Sequence, residues 1–380
     1  MSLHGPFSFP RWWAMVLKEF LQLKRDRITF GMVVGIPLFQ LALFGYAINT
    51  DPKHMPTIVL AADRSEFTRS FLAALEQSDY FRIVGEAPDE ASARAALARG
   101  EAVFVLNVPA NFTRDLLRGE RPALLVEADA TDPVATGTAL GAVEQIARSV
   151  ARKDAGGATG YLVPGEAPFA VHVHRLYNPE GSSRNNIVPG LMGVILTLMM
   201  VLMTGLAMTR ERERGTMENL LAMPVRPLEV MAGKIVPYVA IGLLQVTLIL
   251  LVAVFVFRVP FLGSLAALYL AALLFVAANL TVGITLSSLA KNQLQAMQMT
   301  VFYFMPNLLL SGFMFPFQGM PGWAQAIGNV LPLTYFNRLV RAIFLKGTPG
   351  WDLWPNVWPL MLFTAVVMAI AVKFYRKTLD

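Results

Sequence analysis

The residues with the most chemical content lie in one short stretch, Arg210 to Lys234, which reads RERERGTMENLLAMPVRPLEVMAGK. Acidic and basic side chains alternate at its start, but no nucleophile is paired with a base, so bond-making chemistry is not indicated. What the spacing offers is docking. Glu218 follows Arg214 by one helical turn, which allows an ion pair worth about 0.3 kcal/mol. Met217, Leu220 and Leu221 share a helix face, and Val225 extends it. Gly215 and Pro224 can bound this short helix. Two readings fit: an amphipathic helix parallel to a membrane that passes force from a soluble partner, or a solvated basic loop.

Other candidate chemistry is sparse. No GxxxxGK[ST] motif is present, so no phosphate-cradling loop is expected and ATP should not bind this chain. Leu310-Ser311-Gly312 matches an ATPase signature only by letter, since it lies in an apolar run. His172 and His174 alternate on one strand face but lack the further ligands a metal needs, so no metal site is expected. Asn111-Phe112-Thr113 has the letters of a glycosylation acceptor, a chance match in this reading. There is no cysteine, which excludes disulfides and thiolate-held metals.

The elements that position the charged stretch are membrane spans. The chain has 380 residues with only 15% charged and a mean hydropathy of +0.51, against about 25% charged in soluble proteins. Uncharged runs, Ile187 to Thr209 and Ile235 to Phe257, flank the stretch, and each suits a bilayer-crossing helix. Four arginines and a lysine place the loop in the cytoplasm. The net charge of +6 comes from basic residues that mostly flank spans, so nucleic acid is not an expected partner. Residues 1–27 form an amphipathic helix that suits the membrane interface, with Trp12, Val16, Phe20 and Leu23 on one face and Arg11, Lys18, Gln22 and Arg25 on the other. Residues 28–48 form the first span.

Residues 49–186 read as an extracytoplasmic α/β domain. Strands are expected at 57–62, 80–85, 102–107, 123–128 and 169–176, with helices at 66–78, 90–99, 110–118 and 133–153, giving a partly parallel sheet. A Gly- and Pro-rich loop is expected within 155–167. Residues 187–380 supply spans two to six, with the cytoplasmic helix at 210–226. The third and fourth spans run from about 228 to 257 and 262 to 290, and the fifth from Leu294 to Phe315. A re-entrant segment at 316–345 is broken by Pro316, Gly319, Pro321 and Gly322, with Arg338 and Arg341 at the outer interface. The sixth span starts near Asn356. The fold class is therefore an α-helical integral membrane protein with six transmembrane helices, an interfacial N-terminal helix, a re-entrant hairpin and an inserted α/β domain, both termini being cytoplasmic. No span holds an ionisable residue at mid-depth, which argues against a proton-coupled carrier. Met199, Met203, Phe302 and Asn307 are candidates for a substrate path, because soft side chains suit varied lipophilic molecules.

The motif ERERGTMENLLxxPVRPLE, with Gly233-Lys234 after it, resembles the coupling segment of ABC-2 type transporter permeases, the membrane subunits of ATP-binding-cassette exporters. Lys18-Glu19-Phe20, Arg25-Asp26-Arg27, Phe44-Gly45-Tyr46-Ala47, Tyr177-Asn178-Pro179, Val188-Pro189-Gly190 and Leu331-Pro332-Leu333-Thr334-Tyr335 extend the likeness along the whole chain. The resemblance extends to the multidrug-efflux-like subgroup with a large extracytoplasmic insert. It implies that Glu211, Arg212, Glu213, Arg214, Gly215, Thr216 and Glu218 dock on a separate ATPase subunit, which carries the ATP and magnesium, so this chain needs no cofactor. It implies an interfacial helix containing Trp12, Lys18, Glu19, Phe20 and Arg25. It also implies a second permease copy or sister permease, a bacterial inner-membrane location, and an insert that meets substrate or a periplasmic membrane-fusion protein. Drugs or other hydrophobic compounds are the expected cargo. Lipid-linked glycan or lipid is the alternative, and a secondary carrier or an external ligand sensor is the competing class.

Overall fold

A computed structural model describes residues 53–154, 169–213 and 227–377. The N-terminal interfacial helix, the first span, the 155–167 loop and most of the 210–226 segment lie outside the described residues.

The insert is a five-stranded sheet: β1 (Met55–Ala61), β2 (Phe81–Glu86), β3 (Phe104–Val108), β4 (Ala123–Asp129) and β5 (Ala170–Leu176). Their spatial order is β2-β1-β3-β4-β5. β1 pairs in parallel with β2 and β3, β4 pairs in parallel with β5, and the β3–β4 ladder alone is antiparallel. The parallel pairs need crossovers. These are α1 (Glu66–Gln77), α2 (Glu90–Arg99) and α4 (Pro133–Asp154), while the short α3 (Phe112–Leu117) lies between β3 and β4. Local sequence sets the helix ends. Ser65 Oγ accepts the Thr68 N–H at the start of α1, and Asp89 Oδ1 accepts the Ser92 N–H at the start of α2, satisfying donors that a helix leaves open. Gly100, at φ +74°, ends α2 in the left-handed conformation that a side chain would resist.

The helices cover both sheet faces. Phe71 and Leu75 of α1 and Leu140, Val143 and Ala147 of α4 pack on one face, over Phe104 and Val126. Phe169 is the hub, meeting Phe71 and Phe112 edge-on with ring centroids 5.9 and 5.3 Å apart, a favoured aromatic geometry. Each such ring buried adds about 1.5–3 kcal/mol. Ala93 and Leu97 of α2 cover the other face, over Val105.

That second face meets the helical part of the chain. The long helices are α5 (Ser183–Glu213), α6 (Pro227–Leu251, extended by a π-helical turn at Val252–Val256), α7 (Leu265–Leu289), α8 (Gln293–Leu310) and α11 (Trp354–Lys377). Among the described helices, four carry a stretch long and apolar enough to cross a membrane: Ser183–Arg210, Pro237–Val256, Leu265–Leu289 and Gly350–Ala371. The expected fifth span corresponds to α8, which ends at Leu310 and is not among these four. Its Gln293, Gln295, Gln298 and Asn307 dilute its apolarity. Between α8 and α11 the chain forms two short helices, α9 (Gly322–Gly328) and α10 (Pro332–Arg341), then a π-helical turn at Ala342–Lys346.

α5 is central. Met192, Leu196 and Met200 are buried in one core with Phe275 of α7 and with Leu333, Phe336 and Leu339 of α10. Phe275 and Phe336 stack with centroids 4.1 Å apart. Two glycines permit the close approach. A Cβ on Gly283 of α7 would collide with the Thr204 side chain of α5 and come within 2.9 Å of the Val201 carbonyl. A Cβ on Gly193 would lie 2.5 Å from Leu333. Packing through small residues suits helices in lipid, where no hydrophobic effect drives them together. Buried hydroxyls are satisfied within their own helices: Thr197, Thr209 and Thr300 each donate to the carbonyl four residues earlier.

One side chain ties the two parts together. Lys346 Nζ donates to Asp129 Oδ2 of β4 at 2.6 Å and to the Leu97 carbonyl of α2 at 2.9 Å, and lies 5.1 Å from the Tyr177 ring centroid. The Lys346 and Asp129 side chains are 8% and 12% exposed, so the pair is largely shielded from solvent. Burial, and then the Asp129 and Glu127 carboxylates, push the Tyr177 phenol up to about 12.

Candidate functional site

The charged stretch singled out by the sequence begins at the last turn of α5. That helix continues beyond its apolar part to Glu213, so Glu211 and Arg212 have helical backbone, while Arg214, Gly215, Thr216 and Glu218 lie outside the described residues. Glu213 reaches a partner eighty positions away. Its Oε1 accepts the backbone N–H of Gln293 at 2.8 Å, and its Oε2 accepts the Gln293 side-chain amide. Gln293 is the first residue of α8. The first N–H groups of a helix lack partners within it and carry partial positive charge, so a carboxylate there is well placed. The hydrogen bonds from Gln293, side chain and then backbone, hold the Glu213 carboxyl below its ordinary range.

The receiving end is firmly built. Asn292 Oδ1 accepts the Gln295 N–H at 2.8 Å, and Gln295 Oε1 accepts the Lys291 N–H at 2.9 Å. The turn between α7 and α8 is thus locked on itself, and Glu213 fastens the end of α5 to it.

Higher in the bundle, the four candidate path residues separate by environment. Met199 and Phe302 are 39% and 44% exposed, Met203 is half-buried against the core, and Asn307 is fully buried. Asn307 Nδ2 donates to the Tyr303 carbonyl at 3.0 Å. Met199 belongs to an exposed α5 stripe with Ile187, Leu191 and Ile195, spaced four residues apart and so on one helix face. Asn279 of α7 takes a bridging role, accepting the Tyr303 hydroxyl of α8 at 3.4 Å. The interfacial-helix residues Trp12, Lys18, Glu19, Phe20 and Arg25 lie outside the described residues.

A family model described as ABC-2 family transporter protein matches residues 27–373. The chain belongs to the ABC-2 transporter family. This ABC-2 protein is similar over 97% of its length, at 31% identity, to a protein of Escherichia coli K12 described as the probable multidrug ABC transporter permease YbhS, of which it covers 97%. It is 26% identical to the probable multidrug ABC transporter permease YbhR of the same strain, with 97% of this chain and 99% of the relative aligned. It is 31% identical to the inner membrane transport permease YhhJ, over 75% of this chain and 76% of the relative. Family and helices together make this ABC-2 protein a membrane protein.

Sequence reasoning missed Gln293, Asp129 and Lys346. Gln293 opens a long uncharged run, so its sequence neighbourhood reads only as the start of a span. No local pattern pairs it with Glu213.

Proposed function

We propose that this chain is the membrane-spanning permease subunit of an ATP-driven exporter of drugs or other hydrophobic compounds, powered by a separate ATPase subunit. The observation that carries the reading is the attachment of Glu213 to the first turn of α8. It makes the end of α5, where the ERERGT run begins, mechanically continuous with a second helix of the bundle. Residues Glu211 to Glu218 form the docking segment in this reading, and the ATP and magnesium sit on the partner. A second permease copy or a sister permease completes the path. The insert lies outside the membrane, available to a membrane-fusion protein, and both termini are cytoplasmic. The span count in this reading is six, with residues 28–48 as the first. The relatives described as multidrug permeases support lipophilic cargo. Apolar interiors without mid-depth carboxylates or lysines among the described spans support ATP over ion coupling.

The test is efflux of a lipophilic dye from cells producing the chain with its ATPase. Efflux that persists when the proton gradient is collapsed at constant ATP, and stops when ATP is depleted, is expected. Efflux that tracks the proton gradient instead would overturn the reading.

A further inference from the structure

Between the α2 face of the insert and the ends of α8, α9 and α10 lies a cavity of about 990 Å³. Of the four arginines that line it, Arg338 and Arg341 lie one helical turn apart on α10 and so on one face. Glu101, Asp129, Asp132 and Asp352 also line the cavity, and Asp132 and Asp129 act on Arg341 at longer range, but among the described residues no carboxylate lies within ion-pair distance of either guanidinium. Lys346 lines the same cavity but is already neutralised by Asp129. Arg341 donates from Nη2 to the Gly312 carbonyl at 3.1 Å, while its Nε is buried without a partner. The Arg338 guanidinium carbon sits over the Phe317 ring, 4.7 Å from its centroid. A cation–π contact of this kind uses the face of the guanidinium charge and does not consume its N–H donors. Asn337 Oδ1 and Thr348 Oγ1, in two further buried residues of the lining, also lack partners. Phe317 and Met320 give the cavity apolar wall as well.

A sheltered cation without a counter-ion is costly unless something pairs with it. A guanidinium fork matches a phosphate or carboxylate, taking two oxygens at once. We propose that this cavity binds an anionic group, a phosphate monoester or a carboxylate, gripped by Arg338 and Arg341, with an attached alkyl chain against Phe317 and Met320. The site needs no ATPase to bind. Its failure therefore leaves the exporter reading standing, and failure of that reading leaves the site.

The experiment uses the full chain in a neutral maltoside detergent, with calorimetric titration. The probes are dodecyl phosphate, dodecyltrimethylammonium and inorganic phosphate. Dodecyl phosphate is expected to bind, and dodecyltrimethylammonium to bind at least tenfold more weakly. Arg338→Gln and Arg341→Gln should each weaken dodecyl phosphate about tenfold or more, as loss of a charge-assisted contact predicts. Displacement of dodecyl phosphate by inorganic phosphate would identify a free anion as sufficient. Absence of displacement would identify an amphiphile, and both results keep the site. Equal binding of the cationic and anionic probes, or unchanged affinity in Arg338→Gln, would overturn it. The probe comparison needs no variant, so it decides the matter even if Arg341→Gln does not fold.

Discussion

Asp63 shows how much one side chain can organise in the insert. Its Oδ1 accepts the Ser65 N–H at 2.9 Å and its Oδ2 accepts the Thr113 N–H at 2.7 Å, joining the start of α1 to α3 across the ends of β1 and β3. Burial works to raise its carboxyl, but these N–H groups and the Ser65 and Thr113 hydroxyls outweigh it and hold the value below the ordinary one. A carboxyl depressed in the folded state adds stability that is full above its unfolded value, about 3.9, and is lost as pH falls through the folded value. Asp63→Ala should therefore cost about 1–3 kcal/mol at neutral pH, and the difference from the parent should shrink as the pH falls through the depressed folded value of the Asp63 carboxyl. Acid-titrated thermal unfolding checks this, and a pH-independent difference would contradict it. Nothing in the sequence announces Asp63, because its partners Ser65 and Thr113 acquire meaning only once β1 and β3 are neighbours. The same holds at Glu213. Its presence in an unusual charged run was legible, but its contact with Gln293 was not.

At the scale of elements, the sheet was the more legible part. Strand limits read from apolar, β-branched runs between amphipathic helices differ from the observed ones by no more than two positions. Such runs persist because helices cover both sheet faces, as at β3, where Phe104, Val105, Leu106 and Val108 are all buried. The region after α8 was less legible. Residues 316–345 carry few charges, so hydropathy cannot separate a span from a short buried helix there. α10 is short, with Leu333, Phe336 and Val340 buried and Arg338 and Arg341 lining a cavity. Close helix approach was also unreadable, since a glycine in an apolar run carries no sign of what it faces. Gly283→Ala tests that packing. Its Cβ meets both the Thr204 side chain and the Val201 backbone, and backbone cannot step aside. A loss of about 1–3 kcal/mol should lower the melting temperature of the detergent-purified chain, whereas Gly141→Ala, within helix α4 and with open space around its Cβ, should leave it unchanged or slightly raised. Equal melting temperatures for both variants would refute tight α5–α7 packing.

At the scale of the whole molecule, two attachments define how parts can move together. One is Lys346, which fastens the insert to the turn after α10. Removing one partner of a buried ion pair typically costs about 3–5 kcal/mol. Lys346→Ala is therefore expected to speed hydrogen exchange in β4 and α2 while leaving α7 protected. Unchanged exchange would show that the insert does not depend on that tie. The other attachment is Glu213 with Gln293, the proposed route from the ATPase to the bundle. The most direct test is affinity purification of this chain, in mild detergent and from its own cells, with ATPase activity assayed in the eluate. A co-purifying ATPase activity that Glu213→Arg abolishes, while the chain still inserts in the membrane, is expected. A chain that inserts normally and purifies without any nucleotide-hydrolysing partner, under conditions that keep other membrane complexes whole, would contradict it.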